Sequence, residues 1–147
     1  MQKDLRDLRF AEIMSAFGFL ESTDLASLAL RLFIGGLFVL HGWPKIKSPK
    51  QTASWVASTG WGWATGFAYA FSFLEFLGGV AFIVGFLTRI VSILFVLQMI
   101  ATTIFARKKL GKKLLGGWET DLLFLAGALA LVFLGAGAWS LDALLGL

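Results

Sequence analysis

Four apolar stretches, separated by short polar or basic segments, dominate the pattern of hydrophobic and polar positions along the chain. They run roughly over residues 25–43, 64–87, 90–106 and 120–139. Each stretch is close to the ~20 residues that a helix needs to cross the hydrocarbon core of a bilayer. None of them alternates between polar and apolar residues as a barrel strand does, so the pattern predicts membrane-spanning helices.

The chain is therefore expected to be all-α, an integral membrane bundle of four antiparallel helices within residues 25–147. Residues 1–24 differ, because they mix both charge signs and repeat apolar positions at helical spacing. They predict a short amphipathic N-terminal helix on the membrane surface or on the bundle. Ser22, Thr23 and Asp24 are candidate caps of the first span, and Ser140 followed by Asp142 predicts a short C-terminal helix.

The composition agrees with a membrane protein, since 58% of the 147 residues are hydrophobic. The chain has no cysteine, which excludes disulfides, thiolate metal sites and iron–sulfur clusters. A haem with two ligands from this chain is not expected either, because only Met99 lies in an apolar segment as a partner for the single histidine, His41. No metal-ligand spacing is present, so no metal is expected. The net charge of +4 is too diffuse to indicate nucleic-acid binding.

The basic residues are distributed unevenly between the two sides of the bundle. The first and third connections together carry eight of them, whereas the other side carries four. The eight are Lys45, Lys47, Lys50, Arg107, Lys108, Lys109, Lys112 and Lys113. The positive-inside rule then places these two connections in the cytoplasm and both termini outside, in a multi-pass protein of the plasma membrane.

Glu75 lies about halfway along the second apolar stretch, where a charge costs about 2.5–3.5 kcal/mol on insertion scales. Arg31 in the first stretch is the predicted partner, Arg89 is a second candidate donor, and Gln98 adds a polar group on the third helix. Two interpretations follow. The pair either fixes the register of the helices, or forms the polar floor of a ligand cavity in which Glu75 exchanges a proton.

A second polar group is expected at the cytoplasmic end, where His41 and Lys45 share a helix face if the first helix continues past Pro44. Glu119 and Asp121 open the fourth span, where carboxylates are favourable for the helix alone. Five tryptophans lie near the same end: Trp43, Trp55, Trp61, Trp63 and Trp118. They are typical of an interfacial anchor, and the alternative is that they line the mouth of a pocket for a flat apolar ligand.

Three stretches resemble the DoxX family. "LRLFIGGLFVLHGWPKI" (residues 30–46) is similar to its first helix, and "LEFLGGVAFIVGFLTR" (residues 74–89) to its second helix and tight turn. "GGWETDLLFLAGALALVFLGAGAWSLDALL" (residues 116–145) is similar to its last helix and terminal segment. The resemblance covers residues 25–145 in order.

The resemblance implies a small four-helix membrane protein related to DoxD-type subunits of thiosulfate:quinone oxidoreductase. Other members are linked to redox homeostasis and quinone-related stress. It also implies that the family's characteristic polar positions are filled here by Arg31, His41, Lys45, Glu75, Arg89, Glu119 and Asp142. Trp43 and Pro44 depart from the usual pattern beside His41.

The favoured hypothesis is a quinone-interacting subunit of a membrane oxidoreductase, with quinone as the only expected cofactor. Glu75 and His41 are its candidate catalytic residues. The candidate quinone-binding residues are Arg31, Lys45, Arg89, Glu119, Trp43 and Trp118. Asp142, Gln98 and Asp121 are expected to be structural polar groups.

Two alternatives stay open, and so does whether the chain is itself an enzyme. One is a non-catalytic anchor or assembly subunit that docks a soluble redox partner through the basic third connection. The other is a carrier for a small anion or a lipid. The expected partners are the lipid bilayer, an oxidoreductase subunit and further copies of the chain.

Overall fold

A computed structural model describes Arg9 and residues 22–147 of the chain. The amphipathic helix predicted within residues 1–24 lies almost wholly outside this part. The described residues contain helices and no strand, which confirms the all-α prediction there. The α-helices are α1 (Thr23–Lys47), α2 (Pro49–Ser58), α3 (Thr65–Phe73), α4 (Gly79–Val84), α5 (Thr88–Lys108), α6 (Glu119–Leu134) and α7 (Leu141–Leu145).

Four helical segments of the described chain are long and apolar enough to cross a membrane, which confirms the predicted four-helix bundle. They are Thr23–Lys47, Gly62–Val84, Thr88–Lys108 and Leu114–Leu134. The second span is composite, because a 3₁₀ turn (Gly62–Ala64), α3, a π-helical turn (Leu74–Gly78) and α4 follow one another in it. A π turn holds one more residue per hydrogen-bonded turn than an α-helix does, so it changes the direction in which the neighbouring side chains point.

The first span, α1, begins at a predicted cap and ends later than the sequence predicts. Ser22 Oγ accepts a hydrogen bond from the Leu25 N–H at 3.3 Å, so Ser22 is the N-cap. Pro44 lies in the last turn without ending the helix, and its carbonyl oxygen accepts a bond from the Ser48 N–H. Because α1 continues to Lys47, Lys45 is part of the helix, and the helix fixes the direction in which its side chain points.

Glycines bring α1 and the second span into backbone contact. A Cβ on Gly35 would lie 2.7 Å from the Gly79 carbonyl oxygen, and one on Gly42 would lie 2.5 Å from the Phe76 nitrogen. No side chain fits at such distances, so glycine is required at both positions. The two crossings fix the register of the antiparallel spans, with Gly35 level with Gly79 and Gly42 level with Phe76.

Phenylalanine rings fill the middle of the bundle. Phe38 stacks on Phe95 with ring centroids 3.6 Å apart and on Phe124 at 4.6 Å, while Phe82 meets Phe38 edge-on at 6.5 Å. This core separates two ends of the molecule. We call them the basic end, formed by the connections at residues 48–61 and 109–118, and the terminal end, formed by the turn at 85–87 and residues 135–147.

The terminal end differs from the sequence prediction in one respect. The fourth span was expected to run to Trp139, but α6 ends at Leu134 because Gly135 (φ +72°) and Gly137 (φ +74°) adopt left-handed backbone conformations. The predicted C-terminal helix is confirmed as α7. Ser140 Oγ accepts a hydrogen bond from the Ala143 N–H at 3.1 Å and caps it.

The first connection contains an element that the sequence did not predict. Helix α2 starts with a proline at its first position, where the missing N–H is harmless. It packs against α3 through the buried side chains of Ala53, Val56 and Ala68. The connection is therefore a folded unit attached to the second span.

Candidate functional site

An ion pair lies between α1 and the second span, close to the basic end. Lys45 Nζ is 2.6 Å from both carboxylate oxygens of Glu75. Gln98 on α5 donates through Nε2 to Glu75 Oε1 at 2.8 Å. Glu75 is only 5% exposed and Gln98 only 1% exposed, so the carboxylate is held by two donors in the interior of the bundle.

Local backbone structure positions each member of this triad. Glu75 belongs to the π turn, which directs its side chain inward beside the Gly42 crossing. Lys45 stands one turn beyond that crossing on α1, so its side chain reaches the carboxylate. The ammonium has three N–H donors. Two of them engage the oxygens of Glu75, which leaves one for another acceptor.

The ion pair forms part of the wall of a cavity of about 320 Å³ at the basic end, which we call the aromatic cavity. Its other walls come from α2, the 3₁₀ turn, α3 and α5. Lys45 and Glu75 provide its charged groups, and Thr52, Ser72 and Thr102 provide hydroxyls. The remaining lining residues are Trp55, Val56, Trp61, Trp63, Ala64, Phe67, Ala68, Phe71, Ala101 and Phe105.

Aromatic contacts across the cavity join α5 to the first connection. The Phe105 ring lies 5.8 Å from Trp55 and 5.2 Å from Trp61, both edge-on, and Trp61 lies 5.4 Å from Trp63. Aromatic pairs at these separations contribute about 0.5–1.5 kcal/mol each. The cavity thus combines flat apolar walls with one charged pair, a combination suited to an aromatic ligand with a polar edge.

The predicted pairing of Arg31 with Glu75 is wrong. The glycine crossings place Glu75 level with Gly42, eleven residues along α1 from Arg31, a separation of about 16 Å at 1.5 Å per residue. The Phe38 core lies between them. The sequence prediction placed Glu75 at the middle of the second apolar stretch, and therefore at a membrane depth near that of Arg31. The glycine contacts between the two helices shift their register, so the two residues lie at different depths.

Arg31 instead forms hydrogen bonds that hold together three segments at the terminal end of the bundle. It is 0% exposed, and its guanidinium donates to the Trp139 carbonyl oxygen at 2.6 Å and to those of Phe82 and Ile83 at 3.4 Å. Two of these carbonyls end α4, and the third precedes α7. Arg31 therefore ties α1, α4 and the C-terminal segment together.

Asp142 bonds to the backbone at the same end. Its two carboxylate oxygens accept hydrogen bonds from the N–H groups of Leu87 (2.6 Å) and Thr88 (2.9 Å). It thereby caps α5 from a distant part of the chain.

Arg89 was expected as a second donor to Glu75. It is exposed at the terminal end instead, and its side chain lies against Gly135.

The other predicted site residues lie around the basic end. His41 is exposed and meets the Phe124 ring edge-on at 5.6 Å. Asp121 lies beside Thr102 and within electrostatic range of Lys112, Lys45 and His41. Glu119 Oε1 accepts a hydrogen bond from the Gly116 N–H at 2.9 Å and so holds the turn before α6.

The tryptophans divide into two groups. Trp55, Trp61 and Trp63 line the aromatic cavity, as the pocket interpretation anticipated. Trp43 and Trp118 do not; Lys47 Nζ lies 4.7 Å from the Trp43 ring and the Arg107 guanidinium 5.0 Å from the Trp118 ring. These two rings pair with surface cations, which fits an interfacial anchor.

Sequence reasoning missed several wall residues, namely Ser72 and the rings of Phe67, Phe71 and Phe105. Phe67, Phe71 and Glu75 follow one another at four-residue spacing, which places them on the same face of a helix.

In the described part of the chain, no three histidine or carboxylate side chains lie close enough together to bind a metal ion.

The fold and the site define a class: a multi-pass helical membrane protein with a polar pair beneath an aromatic cavity. A family model described as DoxX matches residues 26–108, more than half of the chain. The chain belongs to the DoxX family. It is 32% identical over 122 residues to a Bacillus subtilis (strain 168) protein named "Putative oxidoreductase CatD", covering 83% of this chain and 88% of that protein. No solved structure matches the chain.

Proposed function

We propose that this protein is a quinone-binding subunit of a membrane oxidoreductase and that the quinone ring occupies the aromatic cavity. The observation that carries the proposal is the Lys45–Glu75 pair at the wall of that cavity. The name of the Bacillus subtilis relative supports the oxidoreductase part.

The chemistry of the cavity matches the two parts of a quinone. Its aromatic walls accept a flat ring, and the remaining N–H of the Lys45 ammonium donates to one carbonyl oxygen. Reduction to the quinol takes two electrons and two protons. A reduced partner subunit or a soluble substrate supplies the electrons. Each of the two ring oxygens takes up one proton: Glu75 relays one from the aqueous side of the basic end to the oxygen beside Lys45, and the other oxygen takes its proton from water. Asp121, which is within electrostatic range of both Lys45 and His41, is the group that we propose to link this pair to the basic end.

Binding of a benzoquinone to the purified chain in lipid nanodiscs tests the proposal, with quenching of tryptophan fluorescence as the signal. Lys45→Met removes the donor to the carbonyl, so we expect the Kd to rise about tenfold or more, since a hydrogen bond from a charged group is worth about 1.5–3 kcal/mol. Glu75→Gln removes the charge that positions Lys45 and is expected to weaken binding as well.

Arg89→Gln and Glu119→Gln are the matched controls, because each removes a charge outside the aromatic cavity. We expect both to bind the quinone as the wild type does. An unchanged Kd in Lys45→Met and Glu75→Gln would refute the proposed site. The absence of any quinone binding to the wild-type chain would refute the function.

A second candidate function is an anchor that docks an acidic redox protein at the basic end. The observation in its favour is the exposure of five basic residues at this end: Arg107 and Lys108 in the last turn of α5, and Lys109, Lys112 and Lys113 in the connection after it. Neutralising the four lysines to glutamine is expected to release such a partner in a pull-down while quinone binding is retained. Loss of quinone binding without loss of the partner would contradict the docking role.

The charge distribution supports a cytoplasmic basic end in the plasma membrane, which we propose as the orientation. The chain has no native cysteine, so single cysteines at exposed Lys50 and at exposed Leu147 report the two sides without background. A membrane-impermeant maleimide applied to intact cells is expected to label Leu147→Cys and not Lys50→Cys. The reverse pattern would contradict the orientation.

A further inference from the structure

A gap separates the second and third spans beside the aromatic cavity. In the middle of the bundle the two spans meet, with a Cβ on Gly78 placed 2.9 Å from the Phe95 ring and Gln98 bonded to Glu75. Towards the basic end, α3 packs against α1 and α2 and moves away from α5. Helix α5 packs mainly against α6. The spans diverge at Glu75 and enclose a wedge.

The two sides of this wedge are apolar. Phe67 and Phe71 line it from α3, and Ala101 and Phe105 line it from α5. The charged pair lies at its narrow end. Among the lining side chains, Trp63 is 71% exposed, Phe67 56% and Trp55 51%. Trp63 and Phe67 belong to the second membrane-spanning segment, so we expect lipid chains to contact their exposed faces. Trp55 lies in the connection before that segment, on α2.

We propose that the ligand of the aromatic cavity is a lipid-dissolved ring with a hydrocarbon tail, and that the tail lies in the gap between α3 and α5. This inference rests on the proposed function and specifies its substrate class. The ring points inward to Lys45 and Glu75, and the tail leaves between α3 and α5, where these two helices do not pack against each other. The ligand then reaches the site from the bilayer.

The chemistry of the walls favours a tail over a water-soluble substituent. A hydrocarbon chain between Phe67 and Ala101 removes apolar surface from contact with other lipids at no polar cost, whereas a charged substituent there would lie in the hydrocarbon region without a partner. Ala101 is the smallest side chain on the α5 side of the gap and is exposed. Its size keeps the gap open.

Photo-crosslinking of the wild-type chain in nanodiscs tests the path of the tail directly. The probe is a benzoquinone whose ten-carbon tail ends in a diazirine, and adducts are mapped by mass spectrometry. We expect adducts on α3 and α5 near Phe67 and Ala101, and competition by an unlabelled benzoquinone with a decyl tail. Adducts confined to α6 or to the terminal end would overturn the proposal, as would equal labelling with and without the competitor.

A pair of variants tests the gap by binding. Ala101→Trp narrows the gap from α5, and Ala126→Trp places the same bulk on the exposed face of α6, outside the cavity. We expect Ala101→Trp to raise the Kd of the decyl-tailed benzoquinone about tenfold or more, and the Kd of the tail-less ring by less than about threefold. Ala126→Trp is expected to change neither.

Equal weakening of both ligands by Ala101→Trp, or no effect on the tailed one, would overturn the inference about the tail. The proposed function fails differently, because then neither ring binds to the wild-type chain or Lys45→Met leaves both Kd values unchanged. The two failures are therefore distinguishable in one set of titrations.

Discussion

Lys45 and Glu75 stand thirty positions apart in the chain, and the ammonium nitrogen of one is 2.6 Å from both carboxylate oxygens of the other. The pair spans the interface between α1 and the π turn of the second span, where Gly42 allows the two backbones to touch. Three features position the pair: a proline that does not end its helix, a glycine crossing between two helices and a π turn. The same pair supplies the charged groups of the aromatic cavity.

The strength of the ion pair can be measured by a double-mutant cycle. Lys45→Met leaves a buried carboxylate held by Gln98 alone, and we expect the free energy of unfolding to fall by about 1–3 kcal/mol, the cost of an unpaired buried group. Lys45→Met combined with Glu75→Gln is expected to be less destabilised than the sum of the single variants. Reversible unfolding in mixed micelles measures all four proteins. Simple additivity would show that the pair contributes nothing.

Arg31 is expected to be a stability residue of the terminal end. Arg31→Ala leaves the carbonyl oxygens of Phe82, Ile83 and Trp139 without their charged donor, and we expect a loss of about 3 kcal/mol or more in unfolding free energy. Arg31→Lys should recover only part of it, since an ammonium cannot span the three acceptors as a guanidinium does. The exposed Arg89→Ala is the control, with a change within about 0.5 kcal/mol. Equal thermal stability of Arg31→Ala and wild type would contradict this role.

Two adjacent glycines of α1 form a matched pair. A Cβ on Gly35 meets the Gly79 carbonyl oxygen at 2.7 Å, whereas one on Gly36 meets nothing within 4 Å. Gly35→Ala should separate α1 from α4 and cost about 1–3 kcal/mol. Gly36→Ala should be neutral or stabilising by up to about 1 kcal/mol, because alanine favours the helix. Thermal unfolding of both variants measures the difference, and similar midpoints would show that the crossing is not close.

Asp142 gives a prediction about a single capping group. Asp142→Ala removes the acceptor for the N–H groups of Leu87 and Thr88, and we expect a loss of about 1–2 kcal/mol, as for other helix caps. Hydrogen exchange at these two amides is expected to become faster. Asp142→Asn keeps one acceptor oxygen and should slow one of the two amides relative to the alanine variant. Unchanged exchange in Asp142→Ala would contradict the cap.

Sequence patterns were sufficient to predict the elements that depend on local chemistry. Apolar runs of membrane length predict the four spans, and Ser22 and Ser140 predict the helix starts that they cap. Glu75 was recognised as an intramembrane carboxylate that needs a partner, and Lys45 as part of a second polar group with His41. Their pairing was not predicted, because the register between helices depends on the glycine crossings, a tertiary feature that the hydropathy of each stretch does not contain.

The unpredicted elements share a physical cause. Helix α2 is short, and its segment combines a proline with two nearby lysines, so its composition is typical of a loop. It is helical because Ala53 and Val56 pack against Ala68 on α3. The π turn at Leu74–Gly78 has no local signal either, since its residues favour an ordinary helix. Both elements lie at the aromatic cavity, where tertiary packing produced a structure that local propensity does not predict.

We propose that Lys45 donates a hydrogen bond to a carbonyl of a quinone bound in the aromatic cavity. Infrared difference spectroscopy of a ¹³C-carbonyl-labelled benzoquinone bound to the purified chain measures this bond. We expect the stretching band of one carbonyl to shift to lower frequency in the wild type and to return to its unbound position in Lys45→Met. A bound quinone with both carbonyls unshifted, or with the same shift in Lys45→Met, would contradict the claim.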